Sequence, residues 1–204
     1  MSEEKKKLSP GELVVKFGEL CQVPAELRTM VVGTLRGKAK DIQEWNPNKD
    51  DNGTVIIFND TKGIGDALAY TLFRKYYTQI FTDNPDLEPE RMAPSENNIA
   101  FPFTRYSDLF YLMEQLKEGK ADYTLREVVD MHVMKRICMV ITGYYQLTGD
   151  DYATAIIDDI IERRIELRNV MTTVLTTRLT AQEFKARNEF LYHALSAGKK
   201  WEIK

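Results

Sequence analysis

The stretch Asp151-Tyr152-Ala153-Thr154-Ala155-Ile156-Ile157-Asp158-Asp159-Ile160-Ile161-Glu162-Arg163-Arg164-Ile165-Glu166-Leu167-Arg168-Asn169-Val170-Met171-Thr172-Thr173-Val174-Leu175-Thr176-Thr177-Arg178 contains neither proline nor glycine. Ile156, Ile160, Leu167, Val170 and Val174, with Met171, recur at mostly helical spacing. Ile157, Ile161 and Ile165 form a second apolar stripe beside the first. The stretch therefore reads as one long helix over 151–178. Its apolar surface is wide enough to be buried against more than one neighbour, in the same chain or in another.

The rest of the C-terminal half supports the same reading. All seven prolines lie between positions 10 and 102, so no proline interrupts a helix after them, and Leu147-Thr148-Gly149-Asp150-Asp151 supplies the break there. Thr124-Leu125-Arg126-Glu127 and Thr180-Ala181-Gln182-Glu183 have the form of capping boxes, and Thr104 or Ser107 precedes the apolar pair Leu109-Phe110. Helices are predicted at about 105–118, 125–147, 151–178 and 181–197.

The N-terminal half is punctuated. Ser9-Pro10-Gly11-Glu12 starts a helix over about 10–21, and Val23-Pro24-Ala25-Glu26 starts another that Trp45-Asn46-Pro47 stops. Thr54-Val55-Ile56-Ile57-Phe58 is β-branched and aromatic, which makes it the best strand candidate in the chain. A helix over about 66–81 follows, with Leu68, Leu72, Tyr76 and Ile80 four apart. Phe101-Pro102-Phe103 reads as extended and able to pair with 54–58. The fold expected from these signals is mainly α: a bundle of about six to seven helices with at most a small two-stranded β element near 54–58 and 101–103. It is read as a single domain over 1–204, divided into a helical and β part at 1–81, an acidic proline-containing loop at 82–103 and a long-helix part at 104–204.

Composition narrows the functional classes. The chain has 204 residues, 43% of them hydrophobic and 29% charged, as in soluble globular proteins. With 28 Lys and Arg against 31 Asp and Glu, its overall field draws in neither nucleic acid nor a membrane surface, so any basic patch is local. The longest apolar runs fall far short of the roughly 20 residues that span a bilayer. Cys21 and Cys138 stand among apolar neighbours as free thiols, which suits a reducing, cytoplasmic setting.

Few residues suggest chemistry. Asp60-Thr61-Lys62-Gly63-Ile64-Gly65-Asp66 follows the strand candidate and opens a helix, which is where a phosphate-cradling turn would stand. The spacing G-x-x-x-x-G-K-[ST] is absent, however, and Asp66 would repel a phosphate. Asp158, Asp159 and Glu162 could share a helix face toward a hard cation, but they also make an ordinary charged face beside Arg163 and Arg164. His132 and His193 lack the spacing of a zinc pair, and no hydrolase signature occurs.

No catalytic, cofactor-binding or metal residue is therefore assigned. The function expected is that of a non-enzymatic helical subunit assembling with itself or with partner proteins, such as a connector or accessory component of a viral or other large particle. Its contact elements would be Pro85, Pro89 and Pro94 of the acidic loop, Ile157, Ile161 and Ile165 of the long helix, and Trp201 and Ile203 of the tail, which are costly to expose unless something covers them. Nucleic-acid binding through mixed basic and aromatic segments is the first alternative. A nucleotide-binding enzyme using the 60–66 turn is the second.

Overall fold

The computed structural model describes residues 8–29, 38–46, 53–60, 63–95, 99–134, 136–145, 151–168, 170–195 and 198–203. Thr61 and Lys62 of the turn lie outside the described residues.

The segment 151–178 is two elements. Helix α8 runs Asp151–Glu166 and strand β4 runs Thr172–Thr176. The backbone turns between them, with the N–H groups of Val170 and Met171 both donating to the carbonyl of Leu167 at 2.9 Å. The residues past the turn, Thr172-Thr173-Val174-Leu175-Thr176, are nearly all β-branched, and such side chains fit a pleated sheet better than a helix. The segment 125–147 divides in the same way, into α7 at Leu125–Met134 and β3 at Cys138–Thr142.

A parallel sheet replaces the expected helical bundle. Its five strands are β1 (Thr54–Phe58), β2 (Phe103–Arg105), β3, β4 and β5 (Lys199–Glu202), in the order β2-β3-β4-β1-β5, all parallel. The segments 54–58 and 101–103 do contribute strands, but these do not pair with each other: β1 lies between β4 and β5, while β2 forms the far edge against β3. β1, β3 and β4 are buried along their whole length. A parallel sheet covered on both faces produces that pattern, continuous apolar runs instead of alternation.

Helices cover both faces. Val55, Ile57, Val140, Val174 and Trp201 face α1 (Pro10–Leu20) and α4 (Ile64–Asp83), where Phe17 meets Tyr77 with ring centroids 4.6 Å apart. Ile56, Phe58, Met139, Ile141 and Leu175 face α6 (Tyr106–Lys117), α7, α8, α9 (Ala181–Arg187) and α10 (Glu189–Ala194). Each fully buried aliphatic or aromatic side chain contributes about 1.5–3 kcal/mol. The short helices α2 (Ala25–Thr29), α3 (Ala39–Glu44) and α5 (Pro89–Met92) complete the described elements. The capping boxes expected at Thr124 and Thr180 are both formed, as is one at Ser9.

α8 draws one charge inside. Arg164 is fully buried, and its guanidinium donates to the carbonyls of His132 at 2.8 Å, Arg136 at 2.7 Å and Thr172 at 2.8 Å, and to the Thr173 hydroxyl at 3.0 Å. Burial lowers its pKa to about 10, so it stays charged at neutral pH while joining the end of α7 to the start of β4.

Candidate functional site

In an open parallel sheet, ligands bind outside the carboxyl ends of the strands, where the strand order reverses. That point lies between β1 and β4. The chain leaves β1 for α4 on one face of the sheet and leaves β4 for α9 on the other.

The turn after β1 begins with Asn59 at φ 60° and ends with Gly63 at φ 71°, both left-handed. Its backbone is fixed to the neighbouring strand end: the Asp60 N–H donates to the Thr177 carbonyl at 2.9 Å, and the Asn59 N–H to that of Leu179 at 3.0 Å. α4 spans 20 residues and presents its N-terminus to the crevice. That end carries a partial positive charge and N–H groups without intrahelical partners.

An acidic side chain occupies part of this end. Asp60 accepts the Asp66 N–H on Oδ2 at 3.0 Å. Gly65 permits the approach, since a Cβ there would lie 2.7 Å from the Asp60 carboxyl carbon. Asp66 in turn accepts the Thr176 hydroxyl at 2.6 Å, and the same hydroxyl oxygen accepts the Gly143 N–H at 2.9 Å. Thr177 donates its hydroxyl to the Tyr144 carbonyl at 2.9 Å, closing a network across the ends of β1, β3 and β4. Burial raises the Asp66 pKa to about 6; the Thr176 hydrogen bond opposes the rise and the Asp60 charge adds to it.

Asn59 to Asp66 has the length of the phosphate-loop motif and joins the same elements. In that register Gly65 and Asp66 take the places of its lysine and its serine or threonine. β3 ends on Thr142-Gly143 and so brings no carboxylate of the kind that holds Mg²⁺ in phosphate-loop enzymes. The charge of Arg105, at the end of β2, acts to lower the Asp66 pKa. Arg105 also lines a cleft of about 500 Å³ with Cys21, Gln22, Pro24, Thr104 and Asp108, within the range of small-molecule sites.

The other residues singled out from the sequence lie elsewhere. Ile157, Ile161 and Ile165 are buried in the core of this chain, beside Ile160. Trp201 and Ile203 are covered by the same chain: β5 pairs with β1, and Ile203 donates its N–H to the Phe58 carbonyl at 3.1 Å. Pro85 is exposed, Pro94 is half-buried and Pro89 is buried at the start of α5. On either side of 96–98, which lie outside the described residues, Arg136 donates to the carbonyls of Met92 and Ala100. Asp158 accepts from the hydroxyls of Tyr144 and Tyr145 and from the Asn188 amide, while Asp159 pairs with Arg163 at 2.9 Å, so the two carboxylates serve different surroundings. Among the described residues no group of three or more His, Cys, Asp or Glu is placed to hold a metal ion. No described helix is long and apolar enough to cross a membrane. Both cysteines are free, and burial raises each thiol to about 12.

The sequence does not mark Thr176, Thr177 and Arg105 as site residues, because the first two fall in the helix predicted over 151–178 and the third at the start of the one predicted over 105–118. The strand–turn–helix order around 54–66 was the available signal.

No family model and no curated protein matches the sequence. The fold does match solved structures. AMPPCP-bound DnaA from Aquifex aeolicus superimposes with a TM-score of 0.56 at 15% identity, over 87% of this chain and 49% of that one. Domain III of the Thermotoga maritima replication initiation protein DnaA gives 0.55 at 14% identity, over 88% and 65%. The chain thus spans between about half and two thirds of the length of these two. The DnaC helicase loader gives 0.48 at 15% identity, over 84% and 86%. The chain has an α/β fold with a five-stranded parallel sheet, similar to the fold of these two DnaA structures. This overturns the reading as a helical connector or structural subunit, which rested on a bundle that is not there. Of the readings made from the sequence, the fold agrees better with the second alternative, the nucleotide-binding one, than with the helical subunit.

Proposed function

We propose that this chain is a nucleotide-binding domain working within a replication-initiation type of assembly, with its nucleotide in the crevice at the ends of β1 and β4. The observation that carries the reading is the β1–turn–α4 unit, which aims the N-terminus of a 20-residue helix at the switch point of a parallel sheet. That arrangement favours a phosphate group. Arg105, whose charge is felt by Asp66, also lines a cleft of about 500 Å³ on the β2 side that could take the rest of the ligand. AMPPCP is bound by one of the proteins that share the fold.

On this reading the nucleotide is a ligand that sets conformation or assembly and is not hydrolysed. Gly65 stands where the motif has its lysine, and β3 ends without a carboxylate, so charge developing on a transferring phosphoryl group would find little stabilisation. The partners are then other protein subunits, further copies of the chain among them, and nucleic acid met through local basic patches.

The test is thermal unfolding with a panel of nucleoside di- and triphosphates in the presence of Mg²⁺. A ligand at 100 times its Kd stabilises by about 2.7 kcal/mol. Stabilisation by at least one nucleotide, reduced in Arg105→Ala, supports the reading; no stabilisation by any of them removes it.

A further inference from the structure

A groove of about 550 Å³ opens between α7 and α8, and Leu125, Val129, Tyr152 and Ile156, with Ala155, supply its apolar lining. Leu125 is 37% exposed and Tyr152 38%, so apolar surface of this groove stands in water on a single chain. The charged residues of the groove are two ion pairs, one on each helix. Arg126 pairs with Asp130 on α7 at 3.7 Å, and Arg163 pairs with Asp159 on α8 at 2.9 Å. Both helices run the same way, because each leads into one of the adjacent parallel strands β3 and β4. Arg164 ties their ends together through the carbonyls of His132 and Val133. Along α7 the order of charge is therefore positive then negative, and along α8, in the same direction, negative then positive.

We propose that this groove is the contact surface of a two-fold homodimer, in which α7 and α8 of one copy lie antiparallel against α7 and α8 of a second copy. A two-fold axis at right angles to the helices sets the surface against its own reverse. Arg126 then faces Asp130 of the second copy, and Asp159 faces Arg163 of the second copy, on both sides of the axis at once. No charge meets its like. A partner bearing a single sign of charge would meet one attractive and one repulsive group on each helix, so the pattern selects the chain's own surface. The ion pairs are exposed and contribute little to affinity; they fix the orientation, while burial of Leu125, Val129, Tyr152 and Ile156 supplies the stabilisation. The groove shares no residue with the crevice at the ends of β1 and β4, so the proposal is independent of the nucleotide reading.

The full chain is followed by sedimentation equilibrium across a concentration series, without nucleotide. A reversible equilibrium between the 23.6 kDa monomer and its dimer is expected. Asp130→Arg makes the charged positions of α7 uniformly positive, and Arg126→Asp makes them uniformly negative. Each variant alone is expected to raise the dimer Kd by about tenfold or more, and a one-to-one mixture of the two to recover dimerisation. A variant that failed to fold could not recover it. A monomer at every concentration up to about 1 mM overturns the proposal and leaves the groove to a helix of a different protein. A dimer that both variants leave unchanged, or a mixture that associates no more tightly than either variant alone, overturns it as well.

Discussion

Thr176 donates its hydroxyl to the Asp66 carboxylate at 2.6 Å, joining the last residue of β4 to the first turn of α4 across 110 positions of sequence. The same oxygen receives the Gly143 N–H. Thr176→Val keeps the shape but removes both bonds, leaving a buried N–H and a half-buried carboxylate without this partner. An unfolding free energy lower by about 1–3 kcal/mol in urea titrations is expected.

Asp66 should make stability fall with rising pH. Its pKa is raised in the folded chain from 3.8 to about 6, so between these values the folded state holds more protons than the unfolded state. The stabilisation of the protonated carboxyl is therefore full below the lower value and is lost as pH rises through the upper one. Asp66→Asn should be relatively more stable than the parent at pH 7 than at pH 4, measured as the difference between their urea midpoints.

His132 should act with the opposite sign in an overlapping window. It is buried, its Nδ1 lies 2.8 Å from the Val128 carbonyl, and burial lowers its pKa from 6.5 to about 4. The unfolded state then binds the extra proton between these values, so this contribution is present above pH 6.5 and is lost as pH falls toward 4. His132→Gln should flatten the acid limb of the stability curve, and the double variant with Asp66→Asn should leave little slope from either group.

Arg164→Met tests the buried clamp. Methionine fills much of the volume but leaves the carbonyls of His132, Arg136 and Thr172 without their donor. Each buried carbonyl so orphaned costs about 1–3 kcal/mol, and a loss of about 3 kcal/mol or more is expected in chemical denaturation. A neutral result would mean that water replaces the guanidinium.

How far the fold could be read depended on burial. Amphipathic or capped elements were legible: Ser9 and Thr180 mark real helix starts, and 54–58 is a strand. β3 and β4 were not, because a parallel strand covered on both faces loses its alternation and extends the apolar pattern of the helix next to it. Val170 and Val174 fell at helical spacing from Ile160 by coincidence, while the threonines around Val174 carried the contrary signal. With β3 and β4 read as helix, the parallel sheet could not be assembled from the sequence, nor could Thr176 be placed opposite Asp66. The turn at 60–66 was legible as a place but not as a site, since its acidic residues argue against phosphate until Arg105 and the strand ends are set around them.

The most direct test of the nucleotide reading is equilibrium binding of a fluorescent adenine nucleotide to the purified chain with Mg²⁺ present, followed by anisotropy and by competition with unlabelled nucleotide. Saturable binding that unlabelled nucleotide reverses, and that weakens in Arg105→Ala, is the result expected. No saturable binding at chain concentrations up to about 1 mM, a range that detects affinities of only about 4 kcal/mol, would contradict it.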